Sequence, residues 1–435
     1  MFRFSRIQPL PIGLDIGYTS VRLLQLGIDG DGLRVVDAAR EPMPTDTPSA
    51  DVASRCAVAV EIARELIRRN DFAGHQVIAC LPRECVHMKN LRLPAMPLNE
   101  LDGAMAFEAR NLFPFDVDQA TVRWLPAGEV RQGSDVRQEL IVLAAKNAEV
   151  ELFVEQLHKA GLVPMSIDFE PCALYRTVER FLRRREDEQE VYVLADVGAR
   201  RTTVVIGRGH DINFIKSIEI GGQHLREAVA RKLDIGSDEA AALRRRLADA
   251  GTASHPADGE ALSPDSVRQA VYDSTRDLAE ELARELALCL RYHSVTFRGQ
   301  RPAKVRLTGG EATDPQLQKV LAAALPIPVE VGRNIQNVDL TRLRPAMRQG
   351  ALSVWAVAMG LSLKGTQRYF AGTVGRPRGA ETPHDQSGSD GGLAMEDAAA
   401  GANRARSGGA TTTALAARSL FERLGFRSGP EVTGA

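Results

Sequence analysis

Little in this chain points to metal or disulfide chemistry. Its five cysteines, at 56, 80, 85, 172 and 289, form no CxxC pair and no framework of even number, which favours a reducing compartment. Cys80 and Cys85 are not at a zinc spacing, and the eight histidines show neither HExxH nor a cysteine partner, so no zinc site is expected. An excess of one charge is missing as well. The 55 Lys and Arg against 56 Asp and Glu leave a net charge of −1, which gives no bulk field for nucleic acid or an anionic membrane. The longest apolar stretch, Ala351–Leu363, falls short of the roughly 20 residues a membrane helix needs. Met1–Leu10 carries Arg3 and Arg6 but no apolar core, so it does not read as a signal peptide, and a cytosolic protein is expected.

What is present is the balance of a soluble globular protein, 44% hydrophobic and 26% charged, and 435 residues suggest two or three domains. Ile12-Gly-Leu-Asp-Ile-Gly17, Val21–Leu26 and Leu33–Val36, with Asp-Gly turns at 29–32, predict a β-meander. A helix is expected over 51–69 and a buried strand over Gln76–Cys80. Between 86 and 162 the order becomes strand, helix, strand, strand, helix, the helices at Leu98–Leu112 and Val150–Gly161, which predicts an inserted subdomain. Phe113-Pro-Phe115 ends its first helix because proline cannot extend it. The opening then recurs: Val191–Gly198, Thr202–Ile206 and Phe214–Ile220 repeat the meander, with Asp, Gly and Thr in the same order, so the chain reads as a duplication.

A helix over 222–233, one over Asp238–Leu247, a long one from Ser263-Pro264 to about Thr296, a strand at Lys304–Leu307 running into Thr308-Gly-Gly310, and a buried helix over Leu352–Leu363 complete the second half. The expected division is 11–85 and 163–188 for a first lobe, 86–162 for the insertion, 189–370 for a second lobe, and 414–435 for a short helix and tail. The stretch 371–413, rich in Gly, Ala, Ser and charge, has the composition of a disordered linker. Ala417, Leu420, Phe421 and Leu424 share one face of an expected amphipathic helix at 414–426.

A strand ending in Asp-x-Gly before a polar turn suits a polyphosphate. Glycine lets backbone N–H groups approach phosphate oxygens, hydroxyls add donors, and the carboxylate holds Mg2+ through its waters. One such turn is weak evidence; two on duplicated meanders, joined by Thr308-Gly-Gly310, can clamp a phosphate chain from both sides. Gly13-Leu-Asp-Ile-Gly-Tyr-Thr-Ser-Val-Arg-Leu23, Ala195-Asp-Val-Gly-Ala-Arg-Arg-Thr-Thr203, Ile218-Glu-Ile-Gly-Gly222, Leu307-Thr-Gly-Gly310 and Ala358-Met-Gly-Leu-Ser-Leu363 occur in that order. On these motifs the chain, from about 11 to 363, resembles the PilM family of type IV pilus assembly, relatives of actin, the sugar kinases and the heat-shock chaperones.

The resemblance implies an α/β fold of the duplicated actin-like (ribonuclease H-like) type, with two lobes around an ATP and Mg2+ cleft and the inserted subdomain. It assigns Asp15, Gly17, Tyr18, Thr19 and Ser20 to the first phosphate loop and Asp196, Gly198, Ala199 and Thr202 to the second, with Asp15 and Asp196 on the metal. Gly221 and Gly222 would touch the nucleotide, and Gly309 and Gly310 would let the adenine reach the backbone. Glu170, in Glu170-Pro171, either orients the attacking water or is an ordinary surface carboxylate before a helix.

Departures accompany the match. Tyr18 replaces the usual Ser, Arg22 the common Lys, and Glu311 a small residue. The ribose-gripping Ala-Glu-x-x-Lys reads Ala240-Ala-Ala-Leu-Arg244, so Arg244 is what remains of it. Losing one carboxylate contact weakens binding by about 1–3 kcal/mol. Binding or slow turnover, rather than brisk hydrolysis, is therefore expected. The implied role is a scaffold under the inner membrane that captures the cytoplasmic N-terminal segment of a PilN-like protein, with self-association and a membrane-surface contact through 414–426 as further expectations and no nucleic acid. An FtsA-like membrane tether and a sugar-kinase-type phosphotransferase are the alternatives.

Overall fold

A computed structural model describes residues 7–366 apart from 31, 45–50, 183, 185, 253–264, 298–300 and 350. The expected linker at 371–413 and amphipathic helix at 414–426 lie outside the described residues. The chain begins with β1 (Gln8–Ile16), β2 (Ser20–Asp29) and β3 (Gly32–Pro42), an antiparallel meander, followed by α1 (Val52–Arg69) and β4 (Gln76–Cys80). Asp51 caps α1 by accepting from Ala53 N, and Cys56, Ala59, Val60, Ala63 and Ile67 form its buried face.

The insertion supplies β5 (His87–Pro94), α2 (Leu98–Leu112), β6 (Ala120–Gln132) and β7 (Asp135–Lys146), in a three-stranded sheet of order β5-β7-β6. The next helix, α3 (Asn147–Lys159), was expected to belong to that subdomain. Instead Val150, Phe153, Val154 and Leu157 enter the core of the first lobe. Then come β8 (Val163–Asp168) and α4 (Glu170–Glu179).

The second half repeats the plan with β9 (Val191–Val197), β10 (Thr202–Arg208), β11 (Asp211–Ile218), α5 (Gly222–Leu233), α6 (Ser237–Thr252), α7 (Asp265–Phe297), β12 (Val305–Thr308), α8 (Pro315–Ala324) and β13 (Val329–Val331). Its sheet has the order β11-β10-β9-β12-β13, and the first sheet contains β3-β2-β1-β4-β8. Both runs join an antiparallel meander to two parallel strands, so β1 and β9 hold equivalent central places.

The tail of the second half does not stay there. After β14 (Val338–Asp339) and α9 (Pro345–Gln349), a 3₁₀ turn at Leu352–Trp355 leads into α10 (Ala356–Leu363). β14 pairs with β3, and Ile335, Trp355, Met359 and Leu363 share a core with Leu24, Leu26 and Val35. The expected second lobe, 189–370, therefore returns its last part to the first, because the apolar faces of β14 and α10 find their partners on β2 and β3. Ser362 Oγ accepts from Leu26 N at 3.0 Å and donates to Pro11 O at 2.8 Å, fixing α10 on β1 and β2. Gly360 permits the crossing with α4, since a Cβ there would lie 1.8 Å from Ala173 O. Among the described residues no helix is long and apolar enough to cross a membrane.

Candidate functional site

The two Asp-x-Gly turns are closed in the same way. Gly17 N donates to Ser20 O at 3.1 Å in the first, and Gly198 N donates to Arg201 O at 3.0 Å in the second. Asp15 lies near the end of β1, paired in register with Arg22, whose Nη1 donates to Asp15 Oδ2 at 2.9 Å. Asp196 lies on β9 between Thr203 and Thr308, and Thr308 Oγ1 donates to its Oδ1 at 2.7 Å.

Glu170, the first residue of α4, reaches the same crevice. Thr203 hydrogen-bonds its carboxyl, while burial and then the charge of Asp196 push its pKa well above the usual carboxylate range. Burial also raises Asp196, against the Thr308 hydroxyl and with the help of the Asp15 charge. Three carboxylates from two lobes thus face one another.

Arginines surround them. Arg40 from β3 lies near Arg22, Arg245 and Asp15; burial and the two arginine charges lower its pKa. Arg245 comes from α6, so guanidinium groups of both lobes meet across the seam. On the other side Arg83, lowered by burial and by Arg201, sits near Glu170, and Arg201 reaches Glu84 at 3.5 Å. Tyr18 is held between Arg55 and Arg200, at 5.2 and 4.6 Å from its ring centroid. Thr203 ends the Ala195–Thr203 motif, whereas Arg40, Arg83 and Arg245 were not among the expected site residues. They come from β3, from the turn after β4 and from α6, and no local motif marks them.

One expected phosphate donor is spent elsewhere and another stands without a partner. Ser20 is fully buried, its hydroxyl takes no hydrogen bond among the described residues, and its carbonyl closes the turn. Thr202 is also fully buried, and its Oγ1 donates to Ile220 O at 2.8 Å, which braces the loop before α5. Thr19 is exposed, while its carbonyl accepts from Met43 N at 2.9 Å. Gly198 O and Ala199 O accept from Gly222 N and Gln223 N at 2.9 and 2.7 Å, which seats Gly221 and Gly222 directly on the second turn. Gly309 takes a left-handed φ of 89° against Val197 O, where a side chain would collide, and Gly310 faces open space.

The sequence model of the type IV pilus assembly protein PilM matches residues 13–366. The chain belongs to the PilM family. The solved PilM-PilN type IV pilus biogenesis complex is similar to it at 25% identity and a TM-score of 0.66, over 82% of this chain and 98% of that one. More distant are the ethanolamine utilization protein EutJ from Carboxydothermus hydrogenoformans (15% identity, TM-score 0.46, 82% and 89% covered) and MreB5 of Spiroplasma citri bound to ADP (12%, 0.41, 82% and 96%). The duplicated sheets are those of the actin-like fold of the PilM family.

Within that fold the donor set suits a hydrated divalent cation and a phosphate chain. Among the described residues no group of three or more His, Cys, Asp or Glu is arranged to hold a bare ion. Asp15 and Asp196 are two carboxylates of the kind beside which Mg2+ commonly keeps several of its waters. The positive groups around them, Arg22, Arg40 and Arg245, match the surplus negative charge of a polyphosphate.

Beyond the second Asp-x-Gly turn stands α6, with Arg244 on Gly222. Arg244 Nη2 lies 2.7 Å from Glu311 Oε2 and 2.7 Å from Asp314 Oδ2, and its Nη1 donates to Gly222 O at 3.3 Å. The single arginine left of the expected ribose element is therefore bound to the carboxylate that replaced a small residue after Gly310.

Proposed function

We propose that this PilM-family chain is an actin-like scaffold of type IV pilus assembly that binds ATP with Mg2+ between its lobes and captures the N-terminal segment of a PilN-like inner-membrane protein. The observation that carries the nucleotide reading is the meeting of Asp15 and Asp196, from equivalent strands of two repeats, in one arginine-lined crevice. Asp15 and Asp196 would hold Mg2+ through its waters, and its charge would offset that of the phosphates. Gly17 and Gly198 keep the turns tight, Gly221 and Gly222 pack on the second turn and Gly309 on Val197, and Gly310 leaves backbone open to the nucleoside. Glu170, fixed by Thr203, is placed to orient a water.

The expected experiment is a titration of ATP·Mg2+ into the wild type, Asp15→Ala and Asp196→Ala. Each substitution is expected to weaken binding roughly tenfold to hundredfold; equal affinity in all three would remove the site. The PilN-like partner is supported by the similarity to a PilM-PilN complex. In this reading the partner docks between the inserted subdomain and the first lobe, and the protein works at the cytoplasmic face of the inner membrane in twitching motility. Retention of the partner's N-terminal peptide on immobilised protein tests this, and failure to retain it in every nucleotide state argues against it.

A further inference from the structure

We propose that Glu311 is a specificity-determining residue of the crevice, the acceptor for the ribose hydroxyls of a nucleoside polyphosphate. This rests on reading the crevice as a nucleotide site, and it adds a residue that the pattern of the family does not assign. The α6 segment that would supply a ribose carboxylate reads Ala240-Ala-Ala-Leu-Arg244, and its only acidic residues nearby, Asp238 and Glu239, are exposed in the first turn. The acid that stands at the wall instead comes from the opposite side, one residue past the Gly309-Gly310 turn.

Its position is fixed from three directions. Glu311 N donates to Val197 O at 3.2 Å, which ties it to the strand carrying Asp196. Arg244 holds Oε2, and the same guanidinium is anchored on Asp314, whose Oδ1 accepts from Gln316 N and Leu317 N at the start of α8, both at 2.9 Å. The third side is Gly222. A Cβ at that position would lie 2.0 Å from Glu311 Oε1 and 2.5 Å from its Cδ, so the carboxylate occupies room that only glycine leaves.

Oε2 is thus committed to Arg244, while Oε1 lies against Gly222 beside the second phosphate turn and takes no hydrogen bond among the described residues. The carboxylate is held by the guanidinium through one oxygen, and the other is placed to accept. The ligand chemistry that fits a fixed acceptor beside the second Asp-x-Gly turn is the vicinal diol of a ribose.

The test compares ATP, 2′,3′-dideoxy-ATP and inorganic tripolyphosphate, each with Mg2+, by calorimetric titration of the full chain. The wild type is expected to bind ATP at least tenfold tighter than the dideoxy analogue. Glu311→Ala and the near-isosteric Glu311→Gln are expected to erase that difference and leave tripolyphosphate affinity unchanged, with thermal melts showing that both variants fold. Tighter ATP binding by Glu311→Ala would overturn the proposal, because Glu311 would then be a plug. Equal affinity of the wild type for ATP and its dideoxy analogue also overturns it while leaving the phosphate clamp intact. Loss of tripolyphosphate and ATP binding in the wild type would instead sink the nucleotide reading as a whole.

Discussion

His293 shows what a single buried group does to this fold. It sits on α7 at 3% exposure, packed on Phe297, with neither imidazole nitrogen hydrogen-bonded. Burial, and then the charge of Arg208, lowers its pKa from 6.5 to about 4. The unfolded chain therefore binds a proton that the folded chain refuses between those values. Stability is complete above about pH 6.5 and declines as pH falls toward 4, by about 3 kcal/mol from this group at the lower limit. His293→Leu is expected to flatten that acid limb and to raise stability at pH 7, since two unsatisfied polar atoms leave the core. Urea midpoints at pH 7.5 and pH 5 check both statements; an unchanged pH dependence in the variant means that another group sets the acid limb. Arg22 makes the contrasting case, because its ion pair with Asp15 lies in the crevice itself. Arg22→Ala is expected to weaken tripolyphosphate binding by about tenfold, as one charge-assisted contact is worth about 1.5–3 kcal/mol, and an unchanged titration would show that Arg22 serves Asp15 alone.

Among elements, the crossing of α4 and α10 is the tightest joint. Gly360 lies on Ala173 O, and Arg176 Nη1 donates to Gly360 O at 3.1 Å. Gly360→Ala forces the helices apart and is expected to cost about 3 kcal/mol, whereas Gly310→Ala, in open space, is expected to leave stability unchanged. Denaturant titration of the two variants separates crowding from a general intolerance of alanine. These joints also mark what the sequence could and could not say. Alternation and turn residues are local, so the meanders, α2 and β4 were legible, and so was the repeat that pairs Asp15 with Asp196. Periodicity tells which face of an element is buried and not which core receives it. That is why α3 and the stretch from Ile335 to Leu363 were placed with the wrong neighbours. Hydroxyls follow the same logic: Thr202 has the right residue type at the right turn, yet its hydroxyl is held by Ile220 O, and Glu170 falls to Thr203.

For the molecule as a whole, the lobes meet at two levels. At the base, Tyr175 Oη donates to Gly209 O at 2.8 Å and His210 pairs with Glu179 at 2.6 Å, joining α4 to the β10–β11 turn. The insertion adds a strut, since Asn213 Nδ2 on β11 donates to Ala127 O on β6 at 2.7 Å. At the mouth the attraction is weaker and like charges face one another, with three carboxylates inside and arginines around them. A ligand that neutralises both sets stabilises the seam and not one lobe alone. ATP·Mg2+ at a hundred times its Kd adds about 2.7 kcal/mol to the folded state, and the two lobes are expected to melt together once it is bound. Because Asp15 belongs to the first repeat and Asp196 to the second, alanine at either one is expected to cut the ligand-induced rise in Tm to about half or less for both lobes. A calorimetric trace in which Asp196→Ala keeps the ATP-dependent rise would mean that the first turn binds phosphate unaided, and the seam would then have no part in recognition.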